Sequence, residues 1–234
     1  MIVALDVEAP EEARTIVSEL GDDAAAFKIG LQLFTVAGPG FVREVAAGNR
    51  VFLDLKFHDI PHTVAKAGVE AARLGIWMFN VHASGGCEMM RQTVQEVRSA
   101  CSRENIPHPL IIGVTVLTSS DANTLREIGI ERSAEDQVLN LTRLTAECGL
   151  DGVVASPLEV SLVRAAVKDP NFVIVTPGVR PESATNDDQK RVTTPSRAAS
   201  EGADYLVIGR PILRSADRLS ALRQIQNEID AASK

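Results

Sequence analysis

The sequence predicts a single-domain α/β protein, a (β/α)8 TIM barrel over residues 1–234, on three observations. Short β-branched runs recur eight times along the chain, each a candidate buried strand. Amphipathic stretches with helical spacing lie between them, so strand and helix alternate as a parallel sheet requires. The first strand runs out into "ALDVEAPEE" without a GxGxxG turn, which disfavours the main rival, a doubly wound sheet.

The strand candidates, in order, are IVALD (2–6), AFKIG (26–30), VFLDLK (51–56), MFNVHA (78–83), LIIGVTVLT (110–118), GVVAS (152–156), FVIVTPG (172–178) and YLVIGR (205–210). Helical spacing of apolar residues marks PEEARTIVSEL, HTVAKAGVEAARLG, CEMMRQTVQEVRSA and SAEDQVLNLTRLTAECG. In GLDGVVAS and GADYLVIGR a glycine closes a helix just ahead of a strand. A chain of 234 residues is long enough for one such barrel, and no composition break or Pro-rich linker marks a second domain.

Apolar residues make up 45% and charged residues 24%, as in ordinary globular proteins, and no apolar run approaches the roughly 20 residues of a membrane span. A net charge of −7 argues against nucleic acid and anionic membranes as partners. An anionic substrate then needs positive charge concentrated locally. "MIVALDV" enters a strand directly, without a basic region or cleavage site. Cys87, Cys101 and Cys148 are widely spaced with no CxxC pair. Together these features predict reduced thiols in a cytoplasmic protein.

Barrel active sites lie at the C-terminal ends of the strands. Polar residues collect there: Asp6, Lys28, Asp54, Lys56, His82, Thr118, Ser156, Thr176 and Arg210. In "VFLDLKFHDIP", period-2 alternation puts Asp54 and Lys56 on one face, with Leu53 and Leu55 opposite and Asp59 in the loop beyond. One reading is an ion-pair network that holds the strand end. The other is a functional field, since Asp6 and Lys28 of the neighbouring strands fall at the same level and alternating charges can all stay ionised. His58 and His62 are four apart, but Pro61 starts a helix between them and no HExxH is present, so no metal site is expected. His82 is expected to support the site or the fold, and His108, between prolines, to lie in a loop. The stretch "TPGVRPESATNDDQKRVTTP" after the seventh strand is long enough for a lid, with Arg180 and Gln189 as candidate phosphate contacts. A plain surface loop remains the alternative. "IGRPI" adds Gly209 and Arg210 from the next barrel loop.

The ordered set "ALD", "FKIG", "FLDLKFHDIPHTV", "NVHASGG", "VTVLTS", "GLDGVVAS", "TPGVRPE…DDQKRV" and "VIGRPI" resembles the bacterial type of the orotidine 5′-phosphate decarboxylase family, from about residue 2 to about residue 214. The D-x-K-x-x-D core is shared with sugar-phosphate enzymes that use a divalent metal. "FHDIP" and the Arg/Gln lid favour the decarboxylase. The resemblance implies conversion of orotidylate to UMP and CO2 with no cofactor and no metal. It implies that Lys56 protonates C6 of the pyrimidine and that Asp54 faces the substrate carboxylate. Asp59 would enter from the other subunit of a homodimer with shared active sites. Asp6 and Lys28 would hold the ribose hydroxyls, and Thr63 would touch the ribose or phosphate side from the partner chain. Thr118 would read the pyrimidine edge, and Arg180, Gln189, Gly209 and Arg210 would close on the phosphate. A non-catalytic nucleotide-binding barrel is the alternative from another class.

Overall fold

The computed structural model describes residues 1–179 and 193–232. Its strands are β1 (Ile2–Ala4), β2 (Ala26–Gly30), β3 (Val51–Phe57), β4 (Met78–His82), β5 (Leu110–Val114), β6 (Gly152–Val154), β7 (Val173–Pro177) and β8 (Tyr205–Ile208). All are parallel, they pair in chain order, and β8 returns to β1 to close the expected (β/α)8 barrel. Parallel neighbours need a crossover, and helices supply it: α1 (Pro10–Leu20), α2 (Leu31–Ala46), α3 (Pro61–Ala72), α4 (Gly86–Glu104), α5 (Ala122–Glu127) with α6 (Ala134–Glu147), α7 (Val160–Ala166) and α8 (Pro195–Ser200). Two more, α9 (Arg210–Leu213) and α10 (Arg218–Ala232), follow β8.

Proline starts α1 and α3, where a missing N–H costs nothing. Ser133 starts α6 by accepting from the Asp136 N–H at 3.1 Å. α2 is broken in the middle, because Gly38 takes a φ of 70° and Pro39 follows it.

Strand alternation divides the apolar residues into two cores. Inward-facing Ile2, Ala4, Ala26, Phe52, Met78, Ile112, Val175 and Val207 plug the lumen. Intervening residues such as Val3, Phe27, Leu53, Phe79 and Ile174 pack outward against the helices. At the N-terminal end the single tryptophan and single tyrosine meet across the barrel. Trp77 and Tyr205 stand edge to face with ring centroids 4.9 Å apart, and the Arg50 guanidinium lies 5.6 Å from the Trp77 ring.

At the other end several strands finish before the β-branched runs do. The runs 110–118 and 152–156 leave the sheet after Val114 and Val154, with one more backbone bond each, from the Thr115 N–H to the Val154 carbonyl and from the Ala155 N–H to the Val175 carbonyl, both at 3.2 Å. The Thr115 hydroxyl donates to the Val154 carbonyl at 2.9 Å. Ser156, expected at the mouth, is instead buried and caps a short 3-10 turn (Pro157–Glu159), its N–H donating to the Glu159 carboxylate at 3.0 Å. Thr176 also turns away. Its neighbours Val175 and Pro177 face the cavity, so its own side chain is buried on the helix side.

The expectation of three reduced thiols is corrected. Cys87, in the first turn of α4, and Cys148, at the end of α6, form a disulfide with Cα atoms 5.9 Å apart. Only Cys101, buried, is a free thiol. A spacing of 61 residues hides this pairing, because only the packing of α4 on α6 brings the two together. The cross-link removes denatured-state entropy worth up to about 4 kcal/mol in the loop-closure picture. Protein unfolded without reductant should therefore titrate one thiol, and three after reduction. Three thiols in a non-reduced, freshly purified sample would overturn the cross-link.

Candidate active site

The strand register gathers the charged residues. Lys28 pairs with Ala4 on one side and Phe52 on the other, and Gly30 stands opposite Asp54. The missing side chain at Gly30 leaves room, since a Cβ there would sit 3.2 Å from the Lys28 ammonium. The result is a continuous alternation of charge. Lys28 Nζ lies 3.0 Å from Asp6 Oδ1 and 3.5 Å from Asp54 Oδ2, and Lys56 Nζ lies 2.7 Å from Asp54 Oδ1. The inner pair is the drier one: the side chains of Lys28 and Asp54 are 10% and 14% exposed, against 29% for Lys56 and 57% for Asp6.

Protonation follows from these neighbours. Burial alone would push the Asp54 carboxyl up, but the charges of Lys28 and Lys56, with hydrogen bonds from Lys56 and Asn80, hold it below the usual carboxylate range. Burial pulls the Lys28 ammonium down, and Asp54 and Asp6 more than offset it, so this lysine is held above its ordinary value. Both groups are therefore charged at neutral pH. Burial, and then the charges of His58 and Lys56, keep His82 below the ordinary histidine value, against the pull of Asp54. The two imidazoles stand 5.4 Å apart between centroids.

Lys56 has an unusual backbone. Its φ is 52°, in the left-handed region that costs a non-glycine residue about 1–2 kcal/mol. It sits where the β3–β4 pairing jumps from Leu53↔Phe79 to Phe57↔Val81. Sequence reasoning missed Asn80, which is fully buried on β4 beside this jump and bonded to both Asp54 and Lys56. The available signal was a polar residue at an inward position between Met78 and His82.

The cluster forms one wall of a cavity of about 250 Å3 whose lining is otherwise largely apolar. Thr118 lines it from the β5 side, and Gly209 and Arg210 line it after β8. Gly209 packs against Ala4 and Asp6, since a Cβ there would come within 3.4 Å of Asp6 Oδ2. Asp59 and Thr63 are not brought to this cavity. Both are exposed, and the Asp59 carboxylate accepts from the Ile60 N–H at 2.7 Å. Arg180 and Gln189 lie outside the described residues.

The model of the orotidine 5′-phosphate decarboxylase / HUMPS family matches residues 1–225. The orotidine 5′-phosphate decarboxylase of Syntrophotalea carbinolica is 51% identical, over 99% of this chain and 95% of that protein. The orotidine 5′-phosphate decarboxylase of Moorella thermoacetica is 52% identical, over 98% and 92%. Among solved structures, the orotidine 5′-phosphate decarboxylase of Lactobacillus acidophilus superposes with a TM-score of 0.86 at 36% identity, covering 98% of both chains.

The charge cluster sets a pH signature. Because the folded Asp54 carboxyl is depressed, its contribution to stability is present above its ordinary value of 3.8 and is lost as pH falls through the folded value. Asp54→Asn leaves two ammonium groups without their shared carboxylate and should cost about 3–5 kcal/mol at neutral pH. That gap should narrow as pH falls below 3.8. Urea titrations of both proteins across this range measure it, and a gap that stays constant would show that Asp54 is not ionised in the fold.

Proposed function

The chain belongs to the orotidine 5′-phosphate decarboxylase / HUMPS family, and on that premise we propose that it decarboxylates orotidylate to UMP and CO2 in pyrimidine biosynthesis, with Lys56 as the proton donor. The observation that carries the reading is the alternation Asp6–Lys28–Asp54–Lys56 along one wall of a cavity whose remaining lining is largely apolar.

The chemistry uses that arrangement as it stands. The bond from C6 to the carboxylate breaks, its electron pair remains on C6, and CO2 leaves. No ring carbonyl is placed to delocalise that pair, so the reaction depends on a fixed positive charge beside the carbon. The Lys56 ammonium supplies the charge, then transfers a proton to C6, and the neutral amine is reprotonated from solvent. Asp54 keeps Lys56 oriented and faces the substrate carboxylate, whose negative charge disappears as CO2 forms. A metal-assisted route suits this carboxylate poorly. Asp54 Oδ1 already accepts from Lys56 and Asn80, and Oδ2 faces Lys28, so two ammonium groups repel a divalent cation there.

The rest of the cavity supports the substrate roles implied by the family. Asp6 and Lys28 suit the ribose hydroxyls, Thr118 an edge of the base, and Gly209 and Arg210 the phosphate, with Arg180 and Gln189 assigned to the same phosphate by the sequence alone. A second copy of the chain completes the site in this proposal. Asp59 and Thr63 stand outside their own cavity, and the exposed apolar residues Leu31 and Ile60, at adjacent strand ends, offer a face that a partner would cover. The proposed cytoplasmic location rests on the biosynthetic role alone, since the cysteines no longer argue for it.

Loss of orotidylate absorbance with purified protein tests the activity, and it should be unchanged by EDTA. Lys56→Ala should collapse kcat while UMP still binds. Near-normal turnover in that variant removes Lys56 as the donor.

Site sharing has its own test. Chains carrying Lys56→Ala are mixed with chains carrying Asp59→Ala, each inactive alone. Random exchange makes half the dimers mixed, and each mixed dimer regains one intact site of two, so recovery should approach about a quarter of wild type. No recovery despite demonstrated exchange would mean that Asp59 serves its own chain.

A further inference from the structure

Asn80 is a polar residue with no exposed surface, set in the middle of β4. Met78, one inward position below, belongs to the apolar plug of the lumen, and His82 lies one inward position above. Both ends of the Asn80 amide are used. Its Oδ1 accepts the backbone N–H of Lys56 at 2.8 Å, and its Nδ2 donates to Asp54 Oδ1 at 2.7 Å. That carboxylate oxygen is the one that also accepts from Lys56 Nζ, at 2.7 Å.

The backbone explains why an amide is needed there. Between Leu53↔Phe79 and Phe57↔Val81, β3 advances four residues while β4 advances two. The surplus makes a bulge, a device that re-aims a side chain at the rim of a barrel. Lys56 sits in the bulge with φ 52°, and the Asn80 side chain, not a β4 carbonyl, receives its N–H. A conformation so sparsely populated persists only where its surroundings over-determine it.

We propose that Asn80 is a positioning residue for Lys56 and Asp54: its carbonyl holds Lys56 in the left-handed turn that aims the ammonium into the cavity, and its amide group fixes the Asp54 oxygen that the ammonium meets. The proposal rests on the reading of Lys56 as the proton donor. Its charged surroundings are defined. Lys28 and Lys56 face Asp54 directly, Asp6 acts through Lys28, and His82 and His58 stand on the Lys56 side. Among these, Asn80 is an uncharged donor to the carboxylate, and losing it disfavours the ionised form.

The experiment uses the full chain. Asn80→Ala should lower kcat roughly tenfold to a hundredfold, the range for one hydrogen bond to a charged group. KM and UMP affinity should hardly change, and the acid limb of the kcat profile should move to higher pH. Asn80→Asp keeps the acceptor for Lys56. While its carboxyl holds a proton it also donates to Asp54, so activity should return as pH falls and decline as pH rises, where two carboxylates repel. A lower melting temperature with unchanged kcat and an unmoved pH profile would make Asn80 merely structural and overturn the proposal. Should neither variant fold, hydrogen exchange in the wild type decides. The Lys56 N–H should be protected, and exchange at an open-loop rate would sink the idea. Wild type that leaves orotidylate untouched would defeat the functional reading instead. The carbon-13 titration of Asp54 would then still test Asn80, since its midpoint should rise in Asn80→Ala and an unmoved midpoint refutes the positioning role.

Discussion

The Asp54 carboxylate held between two ammonium groups is the interaction on which the rest of the site depends. Desolvating one ion costs several kcal/mol, and a neighbouring opposite charge returns about 4 kcal/mol at an effective dielectric near 20. A single partner therefore barely offsets burial, whereas two do. The exposures follow that arithmetic. Lys28 and Asp54 have two opposite charges each and are nearly dry. Asp6 and Lys56, at the ends of the row, have one each among the described residues and keep more contact with water. The row is thus open at both ends, and one of them, Lys56, is where the proposed chemistry takes place.

The barrel makes such a row possible. Neighbouring parallel strands place Asp6, two residues beyond the end of β1, and Asp54 of β3 each within 3.5 Å of the Lys28 ammonium of β2. Beneath them Ala4, Phe52 and Val207 exclude water from below, so the field is undiluted on that side. Strands carry the charges, and the segments after β5, β7 and β8 carry Thr118, Val179 and Arg210 around the cavity. The reacting field is thereby placed on the stiffest part of the molecule, and the recognition of a particular ligand on the part that varies most readily.

Much of this was legible in the sequence, for definable reasons. β-branched runs mark the strands because both faces of a parallel sheet are buried, and period-2 alternation put Asp54 and Lys56 on the cavity side with Leu53 against the helices. Position along a strand proved a weaker guide than parity. Thr176 lies near a strand end yet faces the helices, and Ser156 spends its hydroxyl on a cap. The left-handed turn at Lys56 has no local signature, since no glycine or asparagine marks it, and its cause, Asn80, lies 24 residues away. The same distance problem hid the Cys87–Cys148 cross-link. Interactions set by tertiary register are those that spacing alone leaves open.

The contact between Trp77 and Tyr205 gives the molecule a built-in optical gauge. Trp77 immediately precedes β4 and Tyr205 opens β8, strands that stand opposite one another, so the 4.9 Å separation of the rings exists only while the ring of strands is closed. As the sole tryptophan and sole tyrosine, they make the intrinsic emission of the protein a report on a single place. That place is the floor of the barrel, at the far end from the charged mouth. Light emitted there follows the integrity of the whole sheet and stays nearly blind to what enters the cavity, so unfolding and ligand occupancy can be followed as separate signals in one sample.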